Sequence, residues 1–495
     1  MAVSKQYILL PREGLRADFG EALESLASLP GVVSTEKPRL LSFGYADGRE
    51  IRVLDSVAEN GPKLIEMDAA AASAVNSTRS PLRAYPLVEY DRPDPKPRLL
   101  GGSRAGLAAA TQVTMTVTNA QSGGAVAGAH IVAFTDFARR QGDEGRTDST
   151  GRTLLNLSGG SIERLYCYPP DHYWSAYREA LPIQPTMALS LEPIDLTFTD
   201  CVRHYYANSR FTPDTGVLVG VIDTGVGPHP HLNLVGGRNT VTGEPRDDFA
   251  DGDIHGTHVA GLIGANGAPP DGLRGVAPGV PIRSYRVFGA DSSGATNYAI
   301  LKAMILAAND GCDIINLSLG GGPFDDIVRE AVVDARNNGM LVVVAAGNDG
   351  RKPVNYPAAY AGATAVSAMG IEGTFPTGTV EESDILRPPN SNHFPQEFIA
   401  AFSNMGSQIM VTGLGVGALS TLPPDGYGPM SGTSMAAPVV AGAAVCLLSR
   451  DPAIYGMQRD PDRSIAIERL LQTNCVKRGF GLVYEGFGLP DPATV

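Results

Sequence analysis

A chain of 495 residues is too long for one hydrophobic core, so its length indicates about two to four domains. Hydrophobic residues make up 43% of the chain and charged residues 18%, which is typical of folded globular proteins and argues against wholesale disorder. The net charge of −13 comes without a cluster of lysines and arginines, so no nucleic-acid partner is expected. No run of about 20 apolar residues is present, so no membrane span is expected either.

Five cysteines are spread along the chain with neither metal-ligand spacing nor a compact disulfide pattern: Cys167, Cys201, Cys312, Cys446 and Cys475. Such isolated cysteines are typical of small buried side chains in a reducing compartment. The apolar run near the N-terminus is broken by Pro11 and Arg12 and is too short for a secretory signal. We therefore expect synthesis in the cytoplasm without a signal peptide, with export by a non-classical route as the alternative.

Residues 5–90 alternate between strand and helix patterns. The predicted elements are a strand at 7–10, a helix at 19–26, a weak strand at 32–33, a strand at 51–53, a helix at 67–75 and a strand at 85–90. Their order, β-α-β-β-α-β, predicts a small α+β domain.

The segment DRPDPKPRLLGGSRAG, residues 91–106, follows this domain. Its prolines and glycines cannot sustain a helix or a central strand, so it is predicted to be an exposed linker. Arg92, Arg98 and Arg104 make it a target for proteolytic nicking.

Residues 112–195 have an all-β pattern, with strands predicted at 113–117 and 130–134 and turn residues between them. The strand GAHIVAF and the turn and strand TDSTGRTLLNL resemble those of small prealbumin-like β-sandwiches. Trp174, the single tryptophan, is interpreted as a packing residue.

From about residue 200 the chain alternates strands and helices, which is typical of a parallel α/β sheet. Near-continuous apolar runs predict buried strands at 217–222, 314–317 and 341–346, with helices at 299–309 and 326–337. Ligand sites in such sheets lie at the carboxyl ends of the strands.

Three polar residues in this region carry chemistry. Asp223 ends the first strand in IDTG, His255 opens a helix in HGTHVAG, and Ser434 opens an apolar helix in GTSMAAP. Gly256, beside the histidine, permits the close approach of another segment. Taken singly, each residue has a structural explanation: a turn cap, a packed histidine and a helix N-cap.

Together the three motifs resemble those of the subtilisin-like (subtilase) family of serine peptidases, in the family's order Asp, His, Ser. Their separations are 32 residues (255 − 223) and 179 residues (434 − 255), and an insertion at 371–398 accounts for the length of the second. The resemblance implies an α/β fold with a subtilisin-like parallel sheet and helices on both faces. It also implies a serine endopeptidase that forms an acyl-enzyme intermediate.

The resemblance assigns the catalytic roles by residue. His255 would take the proton of the Ser434 hydroxyl, and Asp223 would hold the imidazole and stabilise its charged form. Asn348, in VVVAAGNDG, matches the family's side-chain donor to the oxyanion, although an asparagine before Gly350 also suits a turn. His258 is expected to pack in its helix.

The same resemblance locates the substrate cleft. Ser318, Leu319 and Gly320 match the edge strand that pairs with an extended peptide. Ala346 and Gly347 would form one wall of the primary specificity pocket, and Asn355 would lie near its floor unless it is only a turn residue. A broad apolar preference is expected, with Asp349 at the rim able to tolerate a basic residue.

No cofactor is required by this chemistry, and no metal ligands are assigned. Calcium is possible, but the family's common tight site is expected to be absent, because His231 stands where an aspartate ligand is usual and the loop after HGTHVAGLI lacks its asparagines. A cluster of acidic residues is interpreted as a solvated loop, with a cation site as the alternative: Asp247, Asp248, Asp251 and Asp253.

The domain prediction is an α+β propeptide-like domain over 1–92, a linker over 93–108, a β-sandwich over 109–197 and the catalytic domain over 198–495. The first domain resembles the family's inhibitory propeptide and would act as an intramolecular inhibitor. The alternative is a permanent accessory domain that recruits substrate.

The expected partners are polypeptide substrates, and the leading hypothesis is an endopeptidase made as a zymogen. Two alternatives remain: a peptide-binding protein that has lost catalysis, and a dedicated processing enzyme for one partner protein.

Overall fold

The computed structural model describes residues 5–18, 20–27, 40–42, 50–77, 80–91, 110–170, 172–211, 215–290, 292, 294–388 and 394–494. The strand predicted at 32–33 and the linker predicted at 93–108 lie outside the described residues.

The N-terminal region, residues 5–91, contains β1 Lys5–Pro11, α1 Gly20–Ala27, β2 Leu40–Ser42, β3 Glu50–Ser56, β4 Lys63–Met67, α2 Ala69–Val75, β5 Leu82–Pro86 and β6 Glu89–Asp91. Its first five strands form one antiparallel sheet in the order β2-β3-β4-β1-β5.

Three details of this region differ from the sequence prediction. Strand β4 was not predicted, and the strand expected at 85–90 is two strands, β5 and β6. Helix α2 begins at Ala69 and not at residue 67, because the Asp68 carboxylate accepts a hydrogen bond from the Ala71 amide at 2.7 Å and so caps the helix.

The two-sheet region, residues 110–191, contains β7 Ala110–Asn119, β8 His130–Asp136, β9 Gln141–Arg146, β10 Arg152–Ser158, β11 Ser161–Tyr168, β12 Ala176–Pro182 and β13 Thr186–Leu191. A three-stranded sheet (β10-β7-β13) and a four-stranded sheet (β12-β11-β8-β9) share one apolar core. Val113, Met115 and Val117 alternate along β7 and are fully buried in that core, as the period of two in a strand requires.

The α/β region contains the remaining elements. Up to the middle of its sheet these are α3 Cys201–Tyr206, β14 Val219–Asp223, β15 Leu234–Asn239, α4 His255–Gly264, β16 Ile282–Arg286, β17 Gly294–Thr296, α5 Asn297–Asn309, β18 Ile314–Leu317, α6 Asp326–Asn337, β19 Leu341–Ala345 and β20 Thr364–Ile371. They continue as a 3-10 helix Val380–Asp384, β21 Ile385–Leu386, β22 Glu397–Ala400, β23 Ile409–Leu414, β24 Ala418–Leu422, β25 Gly426–Met430, α7 Thr433–Leu448, α8 Pro452–Tyr455, α9 Pro461–Thr473, β26 Cys475–Val476, α10 Leu482–Glu485, β27 Leu489–Pro490 and a 3-10 helix Pro492–Thr494.

A mostly parallel sheet organises the α/β region. Its described strands follow the order β15-β16-β14-β18-β19-β20-β22-β21, with β23 parallel to β20, and β22 and β21 antiparallel at one side. Alternate residues of β19 enter different cores: Val343 packs with α4, α7 and α9, and Val344 packs with α5 and α6. Helices therefore cover both faces, which explains the near-continuous apolar runs of these strands.

Helix α7 lies at the centre of this packing, and all 16 of its residues are buried. A helix that is apolar on every side is stable only inside a large core. Its position is therefore fixed by packing against β18, β19, β20, β23 and α4.

Among the described residues, no helix is long and apolar enough to cross a membrane. The cysteines are all free thiols in this part of the chain, and Cys475 alone is partly exposed.

Candidate active site

Asp223 is the last residue of β14 and is fully buried. Its Oδ1 atom accepts hydrogen bonds from the Thr224 amide and from His255 Nδ1, each at 2.7 Å. Ligand sites in parallel α/β sheets lie at the carboxyl ends of the strands, and Asp223 occupies such a position.

His255 is the first residue of α4, and its ring is almost fully buried. The helix can approach Asp223 this closely because residue 256 is glycine: a Cβ there would lie 1.9 Å from the Gly225 carbonyl oxygen. Burial lowers the pKa of His255. The negative charge of Asp223, and to a lesser extent those of Asp251 and Asp253, raise it by more, so the pKa lies above the ordinary value of 6.5. With Nδ1 bonded to a carboxylate, the ring can accept a proton on Nε2, which has no partner among the described residues.

Asp251 holds this end of α4 in place. Its carboxylate accepts hydrogen bonds from the Thr224 hydroxyl and the Thr257 amide at 2.7 Å, and the Thr224 hydroxyl accepts the Gly256 amide at 2.9 Å. Of the acidic cluster interpreted as a solvated loop, Asp247, Asp248 and Asp253 are exposed, and Asp248 faces Arg286 at 3.3 Å. Within the described residues, no three His, Cys, Asp or Glu side chains are placed to hold a metal ion.

Ser434 is the second residue of α7 and is 2% exposed. Its hydroxyl donates to the Ser318 carbonyl oxygen at 3.3 Å, and the Ser318 hydroxyl donates to the Ser434 carbonyl oxygen at 2.8 Å. That carbonyl lacks its usual helical donor, because Pro438, four residues along the helix, has no N–H, and the Ser318 hydroxyl gives it a partner. Ser318 is therefore in contact with the predicted nucleophile as well as being part of the predicted cleft.

The Asn348 side chain has a fixed orientation. Its Oδ1 atom accepts from both the amide and the hydroxyl of Thr433 at 2.9 Å, and the same hydroxyl accepts the Gly347 amide at 3.1 Å. The Nδ2 donor is buried without a partner in the described part of the chain. Thr433 was missed by the sequence analysis although it stands next to Ser434 in the GTS motif.

Two N–H donors line the same space. A Cβ at Gly432 would lie 3.5 Å from Asn348 Nδ2 and 3.6 Å from the Ser434 amide nitrogen. First-turn amides of a helix lack carbonyl partners within that helix, so the Ser434 N–H is available to an oxygen placed there. Such paired donors stabilise a developing negative charge.

His258 serves packing, as predicted. It is fully buried, and its Nε2 donates to the carbonyl oxygens of Ala418 and Gly428, both at 3.0 Å. Burial lowers its pKa to about 3, so the ring stays neutral. It fixes α4 to the hairpin of β24 and β25, which leads into Ser434.

Residues of the predicted specificity pocket also lie together. The Asn355 amide donates to the Ala346 carbonyl oxygen at 3.0 Å, and its side chain donates to Asp349 at 2.7 Å. Gly347 has φ 107°, which favours glycine, and a Cβ there would collide with Asn355 and with Asn404. Asn404, which no sequence pattern indicated, also donates to Asp349, at 2.9 Å, so two amides hold this exposed carboxylate.

The predicted substrate edge is paired with the chain's own β6. This strand runs antiparallel to β17, with Asp91 opposite Gly294, and the Gly320 amide donates to the Asp91 carbonyl oxygen at 3.3 Å. Tyr90 is fully buried, and a Cβ at Gly322 would lie 2.6 Å from its ring. Leu319 is fully buried beside Gly320.

The position that commonly supplies a calcium ligand does not fit a cation. His231 Nδ1 is hydrogen bonded to the Tyr427 hydroxyl, and its ring lies against Gly267 and Gly272. A hard cation needs oxygen ligands, so these residues do not form the family's tight site.

The pattern that describes the subtilase family matches residues 214–489. The chain is 38% identical over 252 residues to subtilisin BL of Lederbergia lenta, which covers 51% of this chain and 83% of that protein. It is 37% identical to subtilisin Savinase of the same organism, over 51% of this chain and 83% of that protein. It is 36% identical to alkaline elastase YaB of Bacillus sp. (strain YaB), over 57% of this chain and 68% of that protein. The chain therefore belongs to the subtilase family and is a subtilisin-like serine endopeptidase.

Proposed function

We propose that this protein cleaves peptide bonds through a triad of Asp223, His255 and Ser434, and that it is made as a zymogen. The observation that carries the catalytic assignment is the 2.7 Å hydrogen bond between His255 and the fully buried Asp223. We also propose that residues 1–92 are an inhibitory propeptide domain, 109–197 a β-sandwich domain and 198–495 the catalytic domain.

In the first half of the reaction, Ser434 Oγ attacks the peptide carbonyl carbon while His255 Nε2 takes the hydroxyl proton. Asp223 stabilises the resulting imidazolium through Nδ1. The oxyanion is held by Asn348 Nδ2 and the Ser434 amide. His255 then gives its proton to the leaving amine, and the acyl group remains on Ser434.

The second half repeats these roles with water as the nucleophile. His255 takes a proton from the water as it attacks the acyl carbon. The proton returns to Ser434 Oγ as the ester bond breaks, which releases the carboxylate product and restores the enzyme.

The position of β6 supports the zymogen proposal. Main-chain pairing on both sides, with β17 and with Gly320, is the mode by which an extended peptide binds a sheet edge. Asp91, at the end of β6, pairs antiparallel with Gly320, and two residues before Gly320 lies Ser318, whose carbonyl oxygen accepts the Ser434 hydroxyl. The described end of β6 therefore lies close to the proposed nucleophile.

Charged contacts support an inhibitory rather than a loosely tethered N-terminal region. Asp55 and Lys302 form a buried ion pair at 2.6 Å, with side chains 6% and 7% exposed. Arg83 donates to both carboxylate oxygens of Glu330. Ile8, Leu10, Leu15, Leu64 and Tyr90 join the apolar cluster of α5 and α6.

We expect the purified chain to cut itself within residues 91–106, and Ser434→Ala to remain whole. Because β6 ends at Asp91 opposite Gly320, two residues from Ser318, we expect the cut to fall within about four residues of Asp91, at roughly 3.4 Å per extended residue. Intact-mass measurement locates it, and a cut after Arg98 or Arg104 would indicate another protease instead.

Labelling by a fluorophosphonate provides the independent control. A chain that neither cuts itself nor takes the label would overturn the triad assignment, whereas a chain that takes the label but stays whole would overturn only self-processing. Activity of the cut form on unstructured casein would separate a broad endopeptidase from a dedicated processing enzyme.

Activity should rise with pH through the pKa of His255, because only the neutral ring accepts the Ser434 proton. The acid limb of kcat/KM is expected to have its midpoint above pH 6.5. The raised pKa also means that His255 stabilises the fold most at low pH, and that this stabilisation is lost as pH rises through the midpoint. Asp253→Asn should lower the midpoint, while Asp247→Asn, a more distant exposed carboxylate, should not; equal midpoints in all three proteins would refute the electrostatic cause.

Asn348→Ala should reduce kcat by about 10²–10³-fold with little change in KM, because it removes a donor used only when the oxyanion forms. Thr433→Val should cause a smaller loss, since it frees the Asn348 side chain without removing it. Steady-state kinetics on a peptide substrate measure both, with Asn337→Ala on α6 as the control. A change in KM with kcat as in wild type would contradict the assignment of Asn348 as an oxyanion donor.

Asp55→Ala should weaken inhibition by the N-terminal region. Removing one partner of a buried pair leaves Lys302 uncompensated, at a cost of about 3–5 kcal/mol, or about 10²–10⁴-fold in affinity. After self-processing, the cut N-terminal region of the variant should dissociate more readily. On dilution, the variant should therefore become active at a higher protein concentration than wild type does. Glu66→Ala, which breaks a surface pair with Arg52, is the control, and dilution curves that coincide with wild type would reject the inhibitory contact.

A further inference from the structure

Two backbone segments meet beside the proposed catalytic aspartate and histidine: residues 224–227, which follow β14, and residues 250–253, which precede α4. We call them the β14 turn and the α4 loop. The Asp251 amide donates to the Gly227 carbonyl oxygen at 3.0 Å. The two segments are closely packed, since a Cβ at Gly225 would lie 2.2 Å from a backbone carbonyl oxygen of the α4 loop. The α4 loop is therefore held against the β14 turn.

The Asp251 carboxylate joins both segments to α4. Its Oδ1 atom accepts hydrogen bonds from the Thr224 hydroxyl at 2.7 Å and from the Asp253 amide at 3.0 Å. Its Oδ2 atom accepts from both the amide and the hydroxyl of Thr257. That hydroxyl in turn accepts the Gly227 amide at 2.9 Å. Because Thr224 and Thr257 are fully buried or nearly so, donors left without the carboxylate would be costly.

Helix α4 receives no cap from its own N-cap position. That residue is Ile254, whose side chain cannot accept a hydrogen bond from the first amides of the helix. Instead, the Gly256 amide donates to the Thr224 hydroxyl at 2.9 Å. The next amide, that of Thr257, donates to Asp251 at 2.7 Å.

These bonds connect the two halves of the proposed proton-transfer pair. Thr224 follows Asp223 directly, and Gly256 follows His255 directly, so the hydroxyl of one links the backbones on which both side chains are carried. The Thr224 hydroxyl has one proton to donate, and it donates that proton to Asp251, which fixes its lone pairs toward the Gly256 amide. Asp251 thus orients the group that sets the approach of the two backbones.

We propose that Asp251 is a positioning residue for the pair Asp223 and His255, and that it acts through the Thr224 hydroxyl and the first turn of α4. The proposal rests on the proposed triad. Asp251 belongs to none of the segments assigned to peptide binding, so its removal changes the geometry of proton transfer and not the affinity for substrate. A displacement of about 1 Å at a catalytic group can cost about 10²-fold in rate, which sets the scale of the expected loss.

The test compares variants of Asp251 and Thr224 in the self-processed protein, with complete processing verified by intact mass. The rate constant for fluorophosphonate labelling reports the reactivity of Ser434, and peptide kinetics separate kcat from KM. Asp251→Ala should lower the labelling rate and kcat by about 10- to 10²-fold with KM unchanged. Asp251→Asn, which keeps one acceptor oxygen, should restore part of the loss.

Thr224→Val removes only the hydroxyl and should also slow labelling, whereas Thr224→Ser keeps the hydroxyl and should label as wild type does. Because the two groups are proposed to act as one unit, the double variant Asp251→Ala, Thr224→Val should lose less than the product of the two single losses. A loss equal to that product would overturn the route through Thr224. If Asp251→Ala does not fold, the comparison of Thr224→Val with Thr224→Ser decides the proposal.

Asp460→Ala is the matched control, because Asp460 caps α9 by accepting the Arg463 amide at 3.1 Å, and α9 contributes no residue to the proposed site. It should lower the thermal midpoint while the labelling rate of the folded protein stays as in wild type. Wild-type labelling rates in Asp251→Ala and Thr224→Val would overturn the proposal, as would an equal loss in Asp460→Ala, which would indicate a structural role alone. Failure of the wild-type protein itself to label would instead reject the proposed triad.

Discussion

The burial of α7 is the constraint on which the site depends. A helix with no exposed face cannot slide or rotate without opening cavities, so the residues in its first turn are held by the packing of the whole core. Pro438 adds a specific demand, because it leaves the Ser434 carbonyl without its helical partner inside that core. The Ser318 hydroxyl, just after β18, donates to that carbonyl, and the same contact joins the proposed nucleophile to the predicted substrate edge.

Much of the site could be predicted because its chemistry is local in sequence. Asp223, His255, Asn348 and Ser434 each follow a strand or open a helix, and a parallel sheet brings such positions to one side. The parallel sheet itself was visible in the apolar runs of β14, β18 and β19. Its helices α5 and α6 were found within two residues of their bounds.

What could not be predicted is held by contacts between distant segments. Asn404 has ordinary neighbours in sequence, and only the folded chain sets it beside Asp349. Strand β4 was missed for a different reason: its first residue, Lys63, is fully buried, which breaks the expected apolar pattern. The lysine is tolerated there because its ammonium donates to Ser56 at 2.7 Å and to nearby carbonyl oxygens.

The pairing of β6 with β17 and Gly320 has a consequence for solubility. The backbone groups along this groove are able to bind almost any extended chain, and that makes them equally able to bind a strand of another molecule. While β6 occupies the groove, its amides and carbonyls are satisfied within the molecule. The segment that closes the groove thus also covers backbone groups that would otherwise be open to a strand of another molecule.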